Sequence, residues 1–397
     1  MDKPLFEIEL ASHNLCTGCR VCADVCPTNS ISFTLSDDSI HAFPSINSIT
    51  CVHCHRCEKV CVSLHPERIK KDEVYEEKYY LGYNINKEER FLSTSGGVGG
   101  ALADFALNSG FHVVGAIFDK DWHLYHTVSK DKGVLPKIRG SKYLLSDMTG
   151  VYSKILSLVK SKEKVLFFGT PCQIQALLNI IPDVYKENVV TCGIICHGVN
   201  SPLVWNDFVS YLEHKYNSHL RTYNFRSKSK GWGKLWIDFS FDNGKVVSQP
   251  AEKNLFHIWF GKHYILRESC FHCLFRKKER YSDICIGDFW GIEKVRADID
   301  YKDGISVVIS SSIKGENFLS LCKDLHLEQV DGSLTPFVLK GYIQDKDVIT
   351  INKEVERNSQ FARQYNKYSF EEMSKIYHCP TLQDKLISSI KSRLKLQ

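Results

Sequence analysis

The chain has 397 residues, which exceeds the size at which one hydrophobic core stops growing, so two or three domains are expected. Its hydrophobic fraction of 43% and charged fraction of 24% are typical of a globular protein. The modest net charge of +5 gives no support to nucleic-acid binding, and no apolar run is long enough to span a membrane. Because 16 cysteines occur without a secretory segment, we expect a reducing compartment, the cytoplasm.

Two short runs near the N-terminus carry eight of the 16 cysteines. Each run has the spacing Cys-x2-Cys-x2-Cys-x3-Cys of two-cluster ferredoxins, in which the fourth cysteine of one run ligates the cluster held by the other. The spacing therefore predicts two 4Fe-4S clusters. The expected ligands are Cys16, Cys19, Cys22 and Cys61 for one cluster, and Cys51, Cys54, Cys57 and Cys26 for the other.

Zinc is the alternative metal for these runs. A zinc ribbon takes four ligands from two separated pairs, so a third cysteine in each triplet would be surplus. His53 and His55 lie between ligands, where they would either tune a cluster potential or be solvated loop residues. A two-cluster segment only stores and passes single electrons, so the rest of the chain must determine where the electrons go.

A glycine-rich turn, Ser95-Gly96-Gly97, comes after a charged linker over residues 70–77 and opens into a helix that stops at Gly110. Such a turn suits a phosphate, because main-chain N–H groups and the positive end of the helix dipole are exposed there. The alternative is a tight turn that lets the helix pack closely, since the spacing is not the dinucleotide-binding fingerprint. Two pairing strands are predicted over residues 111–118 and 122–128.

The next two buried strands each end near a cysteine. The strand over residues 164–168 leads through Gly169-Thr170-Pro171-Cys172-Gln173 into a helix, and the strand over 188–195 ends at Cys196-His197-Gly198. Open α/β sheets bind ligands at this edge, outside the carboxyl ends of their strands. We therefore expect Cys172 and Cys196 to lie at the same edge of a parallel sheet.

A further Cys-x2-Cys pair, Cys270 and Cys273, has the spacing of metal ligands. Together with Cys172 and Cys196 it makes a plausible all-thiolate site, for which a third 4Fe-4S cluster is more natural than zinc in a chain that already carries two. We expect the remaining cysteines to be buried core residues, namely Cys192, Cys285, Cys322 and Cys379. Cys192 and Cys285 are also kept as alternative ligands of the third cluster.

Two other segments carry charge patterns. The basic, glycine-containing stretch over residues 226–233 favours a solvated loop. Residues 331–397 are predicted to be mostly helical, and an apolar stripe over residues 382–394 is flanked by lysine and arginine. That last helix either contacts a membrane surface or, as is more common, packs on the protein itself or on another subunit.

Six motifs, in the same order, resemble the family of coenzyme F420-reducing hydrogenase/dehydrogenase beta subunits. They are Ser95-Gly96-Gly97, Gly169-Thr-Pro-Cys172-Gln173, Cys196-His197-Gly198, the segment 226–232, Leu266-Arg-x2-Cys270-x2-Cys273, and Asp283-Ile-x2-Gly287-Asp288-Phe289-Trp290-Gly291. The resemblance implies a flavin, FAD, beside a 4Fe-4S cluster. It places Cys172, Cys196, Cys270 and Cys273 at the cluster, and it places near the flavin Ser95, Gly96, Gly97, Lys142, Thr170 and Gln173.

The resemblance and the residues together predict an α+β ferredoxin-like dicluster domain over residues 1–70, an α/β domain with a mixed sheet over 71–330, and a helical extension over 331–397.

The expected function is an iron–sulfur flavoprotein oxidoreductase, fed by external ferredoxin or a partner subunit, with His197 as the candidate proton donor near the flavin. Two rivals are a non-catalytic electron-transfer subunit and a zinc-bearing interaction module. The substrate classes left open are a deazaflavin, a nicotinamide, a glycan precursor and a pigment.

Overall fold

The computed structural model describes residues 8–69, 74–277, 280–332 and 346–378. The N-terminal segment is small and loop-rich, with two short helices and one antiparallel hairpin in which Ile31 pairs with Ile46. Its elements are α1 (Val21–Asp24), β1 (Ile31–Thr34), β2 (Phe43–Ile46) and α2 (Arg56–Val60). A domain with so little regular structure suits the predicted clusters, whose thiolate ligands would fix its loops.

An eight-stranded mixed sheet forms the centre of the second part of the chain, in the order β13-β3-β12-β11-β7-β6-β4-β5. Its strands are β3 (Lys78–Asn84), β4 (His112–Phe118), β5 (Leu124–Ser129), β6 (Val165–Gly169), β7 (Val189–Ile194), β11 (Ile284–Asp288), β12 (Ser306–Ser310) and β13 (Leu325–Val330). The four neighbouring strands β11, β7, β6 and β4 are parallel, and antiparallel strands flank them on both sides. Near-continuous apolar runs on the central strands are typical of a sheet covered on both faces.

Helices cover this sheet and occupy the connections between its parallel strands. Those before β12 are α3 (Lys87–Leu92), α4 (Val98–Asn108), α5 (Leu135–Ile138), α6 (Val151–Lys160), α7 (Pro171–Leu178), α8 (Pro202–Tyr216), α9 (Leu255–Gly261) and α10 (Ile292–Val295). After it come α11 (Ile313–Leu321), α12 (Val348–Tyr365) and α13 (Phe370–Ile376). Among the described residues, no helix combines the length and apolar character needed to cross a membrane.

A second, three-stranded antiparallel sheet follows α8 and consists of β8 (Leu220–Ser227), β9 (Trp236–Phe241) and β10 (Val246–Pro250). Its inner face packs against α8, α9 and the C-terminal helices in a core rich in aromatic side chains. Asn358 of α12 is buried there and donates from its amide nitrogen to the carbonyls of His263, Tyr264 and Leu266 at 2.9–3.1 Å. The C-terminal helices therefore hold the loop that leads to Cys270.

The N-terminal segment shares a core with the sheet domain. Val21 and Val62, each about 1% exposed, lie in one apolar cluster with side chains of α6, α7 and the sheet. The carboxylate of Asp24 accepts hydrogen bonds from the main-chain N–H groups of Gly150 (2.7 Å) and Ser153 (2.8 Å). Since these N–H groups belong to the first turn of α6, an aspartate from one domain caps a helix of the other.

The predicted fold class is confirmed. The helix after the glycine-rich turn, the hairpin that follows it and both strands that lead to cysteines occur where the sequence placed them. The sequence analysis missed strand β3 and helix α3, which lie between the charged linker over residues 70–77 and the glycine-rich turn. Cys379 and the apolar stripe over residues 382–394 lie outside the described residues.

Candidate functional site

The first thiol group consists of Cys16, Cys19, Cys22 and Cys61, as the spacing predicted. Desolvation raises the pKa of the Cys22 thiol, and repulsion from Cys19, Cys16 and Cys61 adds to the increase. Burial likewise raises the pKa of Cys19 to about 12, with repulsion from Cys172 and Cys16 contributing. Mutual repulsion of this kind requires that the four sulfur atoms converge. The raised pKa values of Cys19, Cys22 and Cys61 fit thiols whose protons are replaced by iron.

The second thiol group lies closer to the surface. Cys26, Cys51, Cys54 and Cys57 line one recess. Desolvation would raise the pKa of Cys26, but hydrogen bonds from Ser30 and Thr28 outweigh it and lower the pKa. Cys54 is an exposed residue. The structure therefore brings Cys26, the fourth cysteine of the first run, next to the first three cysteines of the second run. Two-cluster ferredoxins use the same exchanged pairing.

The third thiol group joins three separate loops of the sheet domain. Cys172 is the second residue of α7, Cys196 follows β7, and Cys270 and Cys273 follow the loop that α12 holds. Burial raises the pKa of Cys196, and repulsion from Cys270, Cys172 and Cys273 raises it further. Burial also raises the pKa of Cys172 to about 12 and that of Cys270 to about 11. The four thiols thus form one converging set.

The spare cysteines lie apart from this set. Cys192 and Cys285 are 0% and 2% exposed, and the sulfur of Cys285, rather than any thiol of the third group, contributes to the raised pKa of Cys192 after desolvation. Cys322 is also buried. The expectation that these three cysteines are core residues is confirmed for the described part of the chain.

The first and third thiol groups are neighbours. Cys19 and Cys172 repel each other electrostatically, and both pack in the apolar cluster that contains the fully buried Tyr152. The Tyr152 hydroxyl donates to the carbonyl of Gln173 at 3.4 Å, one residue after Cys172. Desolvation raises the pKa of Tyr152, and the charges of Cys19 and Cys172 contribute further. Tyr152 therefore lies at the contact between the two groups, a role that its sequence context did not indicate.

The residues predicted near a flavin lie on loops that contact one another. Ser141 donates its main-chain N–H to the Thr94 hydroxyl at 2.8 Å, next to the Ser95 turn. At the other end of the same loop, the Gln173 amide donates to the Ser146 hydroxyl at 2.9 Å. The loop over residues 140–146 therefore connects the glycine-rich turn with the corner that carries Thr170 and Cys172.

Within the glycine-rich turn, several polar groups already have partners in the protein. Ser95 donates from its hydroxyl to the carbonyl of Ile305 at 2.9 Å, and Gly96 donates its N–H to the Ser306 hydroxyl at 3.0 Å. A side chain at Gly96 would collide with the main chain of β3, so glycine is needed for this close approach. Gly97 has a φ of 81° and precedes α4 without a side-chain cap. The tight-turn interpretation therefore holds for Ser95 and Gly96, while contact of this turn with a flavin stays a prediction.

Thr170 and Gln173 form a reciprocal cap at the start of α7. The Gln173 side-chain oxygen accepts from the Thr170 N–H and hydroxyl, both at 3.0 Å. The Thr170 hydroxyl also lies 3.2 Å from the Cys172 sulfur. These two side chains therefore fix the orientation of the thiol between them.

Lys142 is a half-buried cation in the connecting loop. Its ammonium donates to the carbonyls of Arg139 (3.0 Å) and Ile138 (3.2 Å). Desolvation lowers the pKa of Lys142 to about 7. A lysine with its charge this weakly stabilised suits an anionic ligand such as a phosphate, which would favour the protonated form.

His197 lies beside the third thiol group and contacts a second histidine. The Nε2 atoms of His197 and His263 are 3.0 Å apart, and His263 Nδ1 lies 3.3 Å from a carboxylate oxygen of Glu354 on α12. Two ring nitrogens at this distance share one proton, so the pair is able to hold or exchange a proton. The structure places His197 next to Cys196, and a role in proton donation stays a prediction.

The basic segment over residues 226–233 is only partly solvated, which corrects the sequence-based expectation: Ser229, Lys230 and Gly233 are exposed, but the first part of the segment is buried. Arg226 and Lys228 are 8% and 6% exposed. Lys228 donates to the carbonyls of Arg90, Ser95 and Asp303 at 2.5–2.6 Å, and so it anchors the glycine-rich turn. Arg226 pairs with Asp288 at 3.3 Å. Sequence patterns missed both roles because the partners lie far away along the chain, although the segment's place in the six motifs was a signal.

Comparison with known proteins agrees with this arrangement. A family model for a 4Fe-4S dicluster domain matches residues 15–63, which contain all eight N-terminal ligands. A model for the C terminus of the coenzyme F420 hydrogenase/dehydrogenase beta subunit matches residues 162–331, which contain the third thiol group. The predicted resemblance is therefore confirmed, and the chain is an iron–sulfur protein of the oxidoreductase type.

The similarity to two known proteins covers most of the length of each of them. An F(420)H(2) dehydrogenase subunit of Methanosarcina mazei is 22% identical over 358 residues, covering 81% of this chain and 96% of that protein. A chain from the F420-reducing [NiFe] hydrogenase complex of Methanosarcina barkeri has 18% identity and a TM-score of 0.44. That similarity covers 74% of this chain and 93% of the hydrogenase chain.

Proposed function

We propose that the protein is an iron–sulfur flavoprotein oxidoreductase that passes electrons between its dicluster domain and a hydride-exchanging substrate, through a third 4Fe-4S cluster and FAD. The observation that carries the proposal is the third thiol group, four converging cysteines from three loops of the sheet domain, in electrostatic contact with the first group. An all-thiolate set in a chain that carries a dicluster domain suits a third cubane cluster. Electrons would then move through the order second group, first group, third group.

The residues of the chain supply binding, orientation and exclusion of water. Cys172, Cys196, Cys270 and Cys273 would hold the cluster, and the cap formed by Thr170 and Gln173 orients Cys172. Tyr152 and its apolar neighbours keep water out of the contact between the first and third groups. A dry contact keeps the reorganisation that accompanies electron transfer small.

FAD, when bound, accepts two electrons as hydride and releases them one at a time, which cubane clusters do not do. The Ser95 turn and the 140–146 loop would hold it, and Lys142 would supply a positive charge for its phosphates. His197 and His263 hold a proton at their Nε2 atoms and would deliver it beside the reacting ring. Among the substrate classes that remain open, a deazaflavin is the first to test, because the names of both similar proteins include F420.

A second function has its own support. The similar proteins are a dehydrogenase subunit and a chain of a hydrogenase complex, so this chain would also suit a non-catalytic electron-transfer subunit whose partner holds the reactive site. The exposed Cys54 and the recess around the second thiol group offer a contact point for external ferredoxin or for such a partner. Cytoplasmic location is proposed because these thiolate sites need a reducing compartment.

The deciding experiment is anaerobic purification of the full chain, followed by measurement of iron, acid-labile sulfide, zinc and extractable flavin. The oxidoreductase proposal expects about twelve irons and about one FAD per chain, since three cubanes hold four irons each. About eight irons without flavin would reject the third cluster and the catalytic role, leaving an electron carrier. About twelve irons without flavin would favour the role of a non-catalytic electron-transfer subunit.

A further inference from the structure

Arg267 is a completely buried cation at the contact between the dicluster domain and the sheet domain. It is 0% exposed, although arginine is among the residue types least often buried. Its guanidinium donates to the carbonyl of Cys16 (2.6 Å), the carbonyl of Ala42 (3.1 Å) and the thiol sulfur of Cys16 (3.3 Å). Cys16 is 251 residues away in the sequence and belongs to the first thiol group.

The site around this guanidinium is shaped to receive it. Its central carbon lies 4.3 Å from the ring centroid of Phe43, so one face of the cation rests on an aromatic surface. Gly18, two residues after Cys16, has a φ of +71°. A Cβ atom at Gly18 would approach the guanidinium carbon to 3.0 Å and Nε to 3.1 Å. The glycine in Cys16-Thr-Gly-Cys19 therefore permits both the left-handed turn and the close approach of Arg267.

The main chain of Arg267 is tied to the third thiol group. Its carbonyl accepts the N–H of Cys270 at 2.9 Å, and its N–H donates to Val199, three residues after Cys196, at 2.9 Å. The same residue thus contacts a ligand of the first group with its side chain and turns the chain toward a ligand of the third group with its backbone. A change in one group's position is transmitted to the other through a single residue.

The electrostatics of the site require a negative counter-charge. Two of the three acceptors are neutral carbonyls, and a buried cation is costly unless an opposite charge compensates it. A 4Fe-4S cluster with four thiolate ligands carries a net negative charge, and that charge grows by one when the cluster accepts an electron. A guanidinium on a ligand sulfur therefore stabilises the reduced cluster more than the oxidised one.

We propose that Arg267 is a positioning residue that raises the reduction potential of the cluster at Cys16, Cys19, Cys22 and Cys61 through its bond to the Cys16 sulfur. In the step concerned, that cluster gains one electron as the cluster at the second group loses one, and no proton or bond is exchanged. The raised potential would favour an electron on the first cluster compared with the same cluster without the Arg267 contact. The inference depends on the clusters of the proposed function, but on neither the flavin nor the substrate.

The test is a redox titration of the anaerobically purified full chain, followed by electron paramagnetic resonance, for the wild type, R267Q and R267K. In R267Q, the reduction equilibrium of one signal should change at least tenfold. Its midpoint potential should therefore become more negative by at least about 59 mV, the value for one electron. R267K keeps the charge but loses the fork geometry, so its shift should be smaller. The matched control is R20Q, because Arg20 also crosses the domain contact, through Asp147 at 3.4 Å, without bonding a thiol.

Unchanged midpoints in R267Q and R267K at full iron content would overturn the proposal, as would an equal shift in R20Q. Where either variant loses iron, the wild-type chain labelled with guanidinium-¹⁵N arginine gives the decision. A ¹⁵N hyperfine coupling in the reduced cluster's signal is expected, and its absence would reject the bond to the cluster. Iron and flavin contents of the same samples report separately on the proposed function.

Discussion

At the scale of single residues, burial keeps the thiols of the third group protonated in the absence of a metal. Desolvation raises the pKa of Cys172 to about 12, and the neighbouring Cys273 and Cys270 contribute to the rise. Each thiol must lose its proton when iron binds, so cluster assembly releases protons and depends on pH. Cys172 is also the thiol of the third group that influences the pKa of Cys19 in the first group, which makes it an informative position to change.

Replacing Cys172 by serine should remove the third cluster and leave the dicluster domain loaded. Iron content is expected to fall from about twelve to about eight per chain, because one cubane of four irons is lost. The control is C285A, which removes a buried thiol that lies outside the third group. Equal iron loss in C285A, or no loss in C172S, would contradict the assignment.

Lys142 gives a prediction that depends on pH. Burial lowers the pKa of Lys142 from the ordinary 10.5 to about 7. Between about pH 7 and 10.5 this lysine is protonated in the unfolded chain but largely neutral in the folded one, so its contribution to the free energy of unfolding rises with pH in that range. A flavin phosphate would restore the charge of Lys142, and binding above about pH 7 would therefore take up a proton. FAD affinity should fall as the pH rises above about 7.

K142Q should weaken FAD binding by about tenfold, the effect of losing ~1.4 kcal/mol of a charge-assisted hydrogen bond, and should flatten the pH profile. Fluorescence titration of flavin-depleted protein between pH 6 and 9 is the measurement, with ~0.5 unit steps. The exposed Lys137 on α5 provides the control K137Q, which is expected to keep both the affinity and the slope. A retained slope in K142Q would separate Lys142 from the flavin.

At the scale of elements, a helix N-cap connects the two domains. Helix α6 has no cap from its own preceding residue, Gly150, and the carboxylate of Asp24 fills that role from the dicluster domain. A carboxylate also suits the positive end of the helix dipole. The dicluster domain therefore stabilises the start of α6 through this cap.

D24A should increase hydrogen exchange at the amides of Gly150 and Ser153 by about fivefold, since loss of a helix cap costs ~1 kcal/mol. D24N is the matched variant, because asparagine is also a good cap and should keep most of the protection. Mass spectrometry of the peptide covering the first turn of α6 makes the comparison. Equal protection in the wild type and D24A would show that the cap contributes nothing to the contact.

At the scale of the whole molecule, the three thiol groups lie at different depths. The second group includes the exposed Cys54, the first lies at the contact between the domains, and the third lies where β6 and β7 end. The second and first groups are linked because each cysteine run contributes its fourth cysteine, Cys26 or Cys61, to the group formed by the other run. Tyr152 lies between the first and third groups. Under the proposed function, the external partner would act at the second group and the hydride chemistry near the third group.

Removing the second cluster should therefore affect only electron entry at the second group. In C54A, reduction of the flavin by a one-electron donor protein is expected to slow at least tenfold, while reduction by a small hydride donor keeps its rate. Stopped-flow absorbance measures both rates. The neighbouring Val52 is 60% exposed and gives the control V52S, which leaves every ligand in place. Equal slowing of both reactions in C54A would contradict the proposed order.

The amino-acid sequence by itself determined the thiol spacing, the strands that end at Cys172 and Cys196, and the family, because these signals lie within short stretches. Local patterns sufficed for the helix α4 and for the buried strands of the sheet. The tertiary structure alone decided that Arg226, Lys228 and Arg267 are buried. Burial and charge pairing depend on partners such as Cys16, which lies 251 residues from Arg267, and no local pattern encodes contacts of that range.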